Sequence, residues 1–185
     1  MSLLKLIDSD LNRVKGYNNA NSLTKIGLCF CYFIIHGGVR SLILYRIYRQ
    51  LFLKKSKLFK LVYSISSLIT PIEISGAVPL GKGIWIPHPQ CIIIGFGTIG
   101  DNVTISQGVT IGLKNKGDEF PIIGNNVHIG AGAKILGNVK IGDNSRVGAN
   151  AVVINIEIPP NSIAVGVPAK IIKEGKYKYK PLELG

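Results

Sequence analysis

The sequence predicts a mainly β chain, a parallel β solenoid preceded by an α-helical segment. Two observations carry the solenoid. The first is a period of six: every sixth residue from Ile99 to Val153 is Ile or Val except Gly117. Those are nine positions of ten, where 60 Ile, Leu and Val among 185 residues would place about three by chance. The second is a glycine directly after six of them, at Gly100, Gly112, Gly124, Gly130, Gly142 and Gly148. Six is a multiple of two, so alternate side chains of a strand return to one face. A helix would not repeat, because six residues turn its face by about 240° net. The unit Ile–Gly–x–x–x–x therefore reads as a short strand and a corner, with glycine where the backbone turns. Three units close one triangular coil, and stacked coils bury the isoleucine column.

The helical segment, residues 1–70, lacks that period. "LTKIGLCFCYFII" and "VRSLILYRIYRQLFLKKSKLFKLVYSISSLI" read as helices, divided at Gly37-Gly38 and near Ser56, and Pro71 closes the region. Of the net charge of +12, residues 1–71 hold +9, with 11 basic side chains against 2 acidic. Seven basic residues and no acidic one lie from Arg40 to Lys60. Two readings stand: an amphipathic helix on an anionic membrane surface, or a helix packed on neighbouring subunits with a solvated basic face. "IGLCFCYFII" (26–35) is too short to span a bilayer and lacks a small-residue cleavage site, so a cytoplasmic location is expected. Cys29, Cys31 and Cys91 form no paired framework and read as small hydrophobes in a reducing compartment.

The solenoid is expected over 71–173. An upstream phase through Ile72, Val78 and Ile84 meets the main one at Ile93, and the three extra residues fall in "IWIPHPQCIII" (84–94). The repeat thus deviates at His88. "GLKNKGDEFP" (112–121), polar and charged, reads as a loop protruding from the solenoid. Residues 174–185, with "KEGKYKYK", form a basic C-terminal tail. His36, His88 and His128 are far apart in the chain and unaccompanied, so no zinc spacing appears and no metal is expected. No dinucleotide or phosphate-loop fingerprint occurs, and the basic residues lack a nucleic-acid recognition motif.

"GKGIWIPHPQCIIIGFGTIGDNVTISQGVTIG", "IGAGAKILGNVKIGDNSRVGANAVV" and "AVGVPAKII" resemble the bacterial hexapeptide acyltransferases, most closely those of serine O-acetyltransferase type. "LILYRI" (42–47) resembles the helix before the solenoid in that family. The resemblance implies a left-handed coil, although crossovers are usually right-handed. It also implies acetyl-CoA as donor and a homotrimer or dimer of trimers with active sites between neighbouring solenoids. It assigns to His88 the removal of the acceptor's proton as the hydroxyl attacks the thioester. An alcohol needs such a base near neutral pH, and a neutral imidazole suits the task. A base also needs an orienting group. The family's acidic residue falls at Glu73, which reads otherwise as a solvent-facing residue at the solenoid start.

The acceptor residues depart from the family. Pro87 stands where serine-specific members have Asp, and Glu119-Phe120-Pro121 stands for their Arg-His-Pro. A site gripping an amino acid needs a cation for the carboxylate and an anion for the ammonium. The aromatic residues Trp85, Phe96 and Phe120 suit a sugar ring, and the pattern resembles the short serine-acetyltransferase-like enzymes that O-acetylate sugars of surface polysaccharides, which implies such a sugar hydroxyl or its precursor as acceptor. L-Serine is the alternative, and a non-catalytic CoA-binding scaffold is a third reading. The donor residues match the family at Gly112 near the thioester, at Ala131 and Ala149 along the pantetheine groove, and at Arg146 and Lys170 near the nucleotide phosphates. These small residues also suit plain solenoid corners.

Overall fold

The computed structural model describes residues 1–175. Four helices come first: α1 (Leu3–Leu11), α2 (Ser22–Ile35), α3 (Gly37–Leu53) and α4 (Leu58–Ile69). Helix α1 is absent from the sequence reading; the breaks before α3 and after Leu53 fall where Gly37-Gly38 and Ser56 put them. Asn21 caps α2 by accepting the Thr24 N–H at 2.9 Å. Helices α2 and α3 meet at 107°, and no single helix among the described residues is long and apolar enough to cross a membrane.

Short parallel strands follow, from β1 (Ile72–Ile74) and β2 (Ile92–Ile94) to β13 (Ile163–Val165), in three sheets. Sheet I holds β1, β2, β5 (Thr110–Gly112), β8 (Lys134–Leu136) and β11 (Val152–Ile154); sheet II holds β3 (Thr98–Ile99), β6 (Ile122–Ile123), β9 (Lys140–Ile141) and β12 (Glu157–Ile158); sheet III holds β4 (Thr104–Ile105), β7 (His128–Ile129), β10 (Arg146–Val147) and β13. The final strand, β14 (Lys170–Lys173), joins sheet III antiparallel to β13. From β2 to β13 the chain visits sheets I, II and III in rotation. Bridges from Leu80 to Ile99 and from Trp85 to Thr104 extend the rotation to the coil holding β1. The inward residues form one buried core, with Ile74, Ile94, Ile111, Ile135 and Val153 in register along sheet I. Each such side chain contributes about 1.5–3 kcal/mol on burial.

The glycines of the repeat do a different job from the one expected. None of the six has a positive φ; Asn102, Asn126 and Asn144 hold that conformation in successive sheet II-to-III turns, with φ of 57°, 55° and 59°. Their amides form a ladder, Asn102 Nδ2 donating to Asn126 Oδ1 at 3.3 Å and Asn126 Nδ2 to Asn144 Oδ1 at 3.0 Å. Asparagine tolerates the left-handed region because its short amide bonds locally. Glycine is required for close approach between coils: a Cβ on Gly100 would lie 2.7 Å from the Gly124 carbonyl.

The phase break at His88 also differs in detail. Ile93 faces outward and Ile94 inward. The inward step from Ile86 to Ile94 is therefore two residues longer than the repeat. A five-residue step to Ile99 partly restores the phase, because strand pairing needs only the next inward residue. Residues 113–121 form a loop after β5, which ends at Gly112, so the loop starts one residue later than the sequence placed it. Lys176, Lys178 and Lys180 of the basic tail lie outside the described residues. Cys31 and Cys91 are exposed rather than packed as small hydrophobes.

The helices are fastened to the first coil by a buried ion pair. The Arg46 guanidinium donates to both Asp10 carboxylate oxygens at 3.0 and 3.1 Å and to the Leu80 carbonyl at 2.9 Å. Asp10 also accepts the Ile84 N–H at 2.8 Å. Burial pushes the Asp10 carboxyl upward, against the pull of Arg46 and that N–H. Arg13 adds bonds of 3.1 Å to the Gly83 and Asn102 carbonyls and to Thr104 Oγ1.

Candidate active site

His88 is exposed on the turn that carries the chain from Trp85 and Ile86 to β2, between Pro87 and Pro89. The flanking prolines fix φ on both sides, so this turn presents the imidazole from a stiff backbone. Below it, the Gln90 carbonyl accepts the Gly108 N–H at 2.9 Å and ties the turn to the next coil. Above it, the break between α2 and α3 packs down. A Cβ on Gly37 would meet Pro89 at 2.8 Å, and one on Gly38 would overlap the Ile86 carbonyl oxygen.

That break brings a second imidazole. His36 Nδ1 accepts the Val39 N–H at 3.4 Å, which caps α3 and leaves Nε2 to carry the hydrogen of the neutral ring. The His36 ring lies 5.0 Å from that of Trp85. Burial lowers the His36 pKa, and positive charge on His88 lowers it further. The break that carries His36 packs on the turn that carries His88, a proximity that no spacing in the chain could signal.

Trp85 requires a correction too. It is only 3% exposed, packed with Leu11, Val14, Tyr17 and Val39, so it offers no face to an acceptor. Its outward position on sheet III is covered by the helices. Glu73 is exposed on β1, opposite Ile93 of the strand that the His88 turn leads into. Its Oε1 accepts the Tyr63 hydroxyl of α4 at 3.1 Å, and no hydrogen bond joins it to His88.

Ala131 and Ala149 lie on the edge that carries His88, in the turns from sheet III to sheet I. Gly132 N–H donates to the Gln107 carbonyl at 2.8 Å, and Asn150 N–H to the Ala131 carbonyl at 2.7 Å, stacking these turns below the His88 turn. Methyl side chains leave the edge open to a long, thin ligand. Arg146 is exposed on β10 beside His128 of β7, and Lys170 is exposed on β14 opposite Val165. His128 is pushed down to about 4, first by burial and then by Arg146.

Gly112 and Phe120 belong to the other edge of sheet I. Phe120 is 49% exposed and Phe96 50%. The β3–β6 register, Thr98 opposite Ile122, continues back through the Thr98 N–H to the Pro121 carbonyl and sets the two aromatic residues on neighbouring coils. Gly112 is buried next to the Phe96 backbone. One chain therefore gathers His88, Ala131 and Ala149 on one edge and Gly112, Glu119 and Phe120 on another.

Residues 120–155 match the family described as bacterial transferase hexapeptide (six repeats). A serine acetyltransferase of Staphylococcus aureus (strain MSSA476) is 40% identical over 177 residues, 94% of this chain and 80% of the relative. Among solved structures, the serine acetyltransferase of Neisseria gonorrhoeae in complex with serine superposes with a TM-score of 0.77 at 32% identity, covering 92% of this chain and 69% of that one. The serine acetyltransferase of Brucella abortus strain S19 in complex with coenzyme A gives 0.78 at 31% identity, covering 94% and 68%.

Proposed function

Because the chain belongs to the hexapeptide-repeat acyltransferases and takes its acetyl group from acetyl-CoA, we propose that it acetylates the hydroxyl of L-serine with His88 as general base. The observation that carries this reading is the exposed imidazole held between two prolines on the edge lined by Ala131 and Ala149. Pantetheine lies along that edge, its thioester beside His88. The neutral imidazole takes the hydroxyl proton as the oxygen attacks the carbonyl carbon. The carbon–sulfur bond then breaks, and the proton passes to the departing thiolate, giving the acetyl ester and free CoA. Arg146 and Lys170 are cations for the nucleotide phosphates. Glu73 orients the imidazole after leaving Tyr63.

The rotation of strands through three sheets supports a triangular parallel β-helix, and the family to which the chain belongs supports its left hand. The separation of His88 from the 112–121 loop supports a trimer, in which a neighbouring copy brings its loop to the His88 edge.

A second reading, a sugar hydroxyl as acceptor, is favoured by one observation: Phe96 and Phe120 stand half-exposed together beside Glu119. The test is thiol release from acetyl-CoA with L-serine and with a panel of sugars and nucleotide sugars. His88→Ala lowers the rate by about 10²–10⁴-fold if the base is correctly assigned. Release with a sugar and none with serine transfers the conclusion to the second reading.

A further inference from the structure

Helix α4 wears its hydrophobic residues on both sides. Phe59, Val62 and Tyr63 pack inward against the core. Leu58, Leu61, Ile65, Leu68 and Ile69 are 56, 59, 43, 84 and 46% exposed. Their spacing of three, four, three and one residues keeps all five within one stripe of the helix. The stripe begins at the α3–α4 connection, where Phe52 and Leu53 are also exposed. An open groove of about 890 Å³ there is lined by Phe52, Leu53 and Phe59 and rimmed by Lys55, Lys57 and Lys60.

The free cations of the helical segment collect at the same place. Its seven basic residues from Arg40 onward do not form the single basic helical face that the sequence suggested. Arg40 bonds the carbonyls that end α2, Arg46 pairs with Asp10, and Arg49 donates to the Gly76 carbonyl at 2.7 Å. Lys54, Lys55, Lys57 and Lys60 are exposed, and none makes an ion pair among the described residues. No Asp or Glu occurs between Asp10 and Glu73.

We infer that the α3–α4 connection and the outer stripe of α4 form a docking surface for an anionic phospholipid bilayer. Charge complementarity selects that occupant. Two copies meeting through this face about a two-fold axis would set lysine against lysine with no acid to separate them. A bilayer offers phosphate to the four ammonium groups and, just below, hydrocarbon to Leu58, Leu61 and Leu68. The helix then lies in the interface with α1–α3 and the sheets above it. This inference is independent of the acetyl-transfer reading, because lipid binding and thiol release are separate measurements.

Flotation of the full chain with vesicles tests it, using phosphatidylcholine alone or mixed with phosphatidylglycerol. The chain floats with the anionic vesicles, less so as salt is raised, and stays behind with phosphatidylcholine alone. Each lysine changed to Gln (Lys54→Gln, Lys55→Gln, Lys57→Gln, Lys60→Gln) weakens binding about fivefold. Leu61→Ser with Leu68→Ser abolishes it while the circular dichroism spectrum is unchanged, since both residues are exposed. No flotation with anionic vesicles overturns the inference, as does a fourfold lysine variant that floats like the parent. A Leu61→Ser, Leu68→Ser chain that still floats but drops to a smaller assembly in light scattering identifies a second copy as the occupant and also overturns it.

Discussion

His128 shows how position rather than residue type sets a titration. It sits outward on sheet III between Thr104 and Arg146, and burial there, reinforced by Arg146, holds its pKa at about 4 against 6.5 when unfolded. As pH falls from about 6.5 towards 4, the unfolded imidazole binds a proton that the folded one refuses. Its contribution to stability is therefore present above that window and lost on acidification through it, and His36, also lowered, acts in the same direction. The melting temperature should drop across this range, and His128→Thr, copying the Thr104 coil, should flatten the drop. A melting series against pH for both proteins checks this. His88, on an exposed turn, is a different case: its motif was readable in the chain, whereas its neighbour His36 was not, because 52 positions of sequence separate them.

At the scale of elements, the contact between the α2–α3 break and the His88 turn is the one to probe. Gly38→Ala should force α3 away from the Ile86 carbonyl, since a Cβ there has no room. The expected result is lower stability together with a kcat loss, although Gly38 touches neither substrate. Comparing Gly38→Ala with Gly27→Ala, where nothing lies within 4 Å of the added Cβ, separates close packing from loss of glycine as such. The Asp10–Arg46 pair makes a second test. Asp10→Ala leaves the guanidinium buried without its partner and should cost about 3–5 kcal/mol, read from denaturant unfolding. The basic run from Arg40 to Lys60 was legible as charge but not as geometry. Three of its arginines turn out to bond backbone carbonyls or Asp10, which composition cannot distinguish from solvated cations.

The whole molecule raises the question of completeness. If His88 of one copy works with the 112–121 loop of the next, two defective chains can complement each other. Mixed trimers of a His88→Ala chain and a chain lacking residues 113–119 should recover activity at about a quarter of the sites under random assembly. Each chain alone should stay inactive, and activity after co-expression is the measurement. Recovery indistinguishable from zero would mean that each chain builds its site alone, against the separation of the two edges of sheet I.

The sequence by itself determined the repeat, its inward column, the helical preface and the deviation at His88. All are local or periodic, written in the spacing of Ile, Gly and Pro along one strand of chain. Tertiary structure decided where the helices lie on the first coil, and with that the burial of Trp85, the packing of the His36 break on the His88 turn and the engagement of Arg46. It also decided which residues share an edge, placing asparagine in the left-handed conformation at positions 102, 126 and 144 and leaving Gly100 of the repeat to make room between coils. These outcomes depend on contacts between segments tens of residues apart, set by packing and by the partners available to buried polar groups rather than by any spacing in the chain.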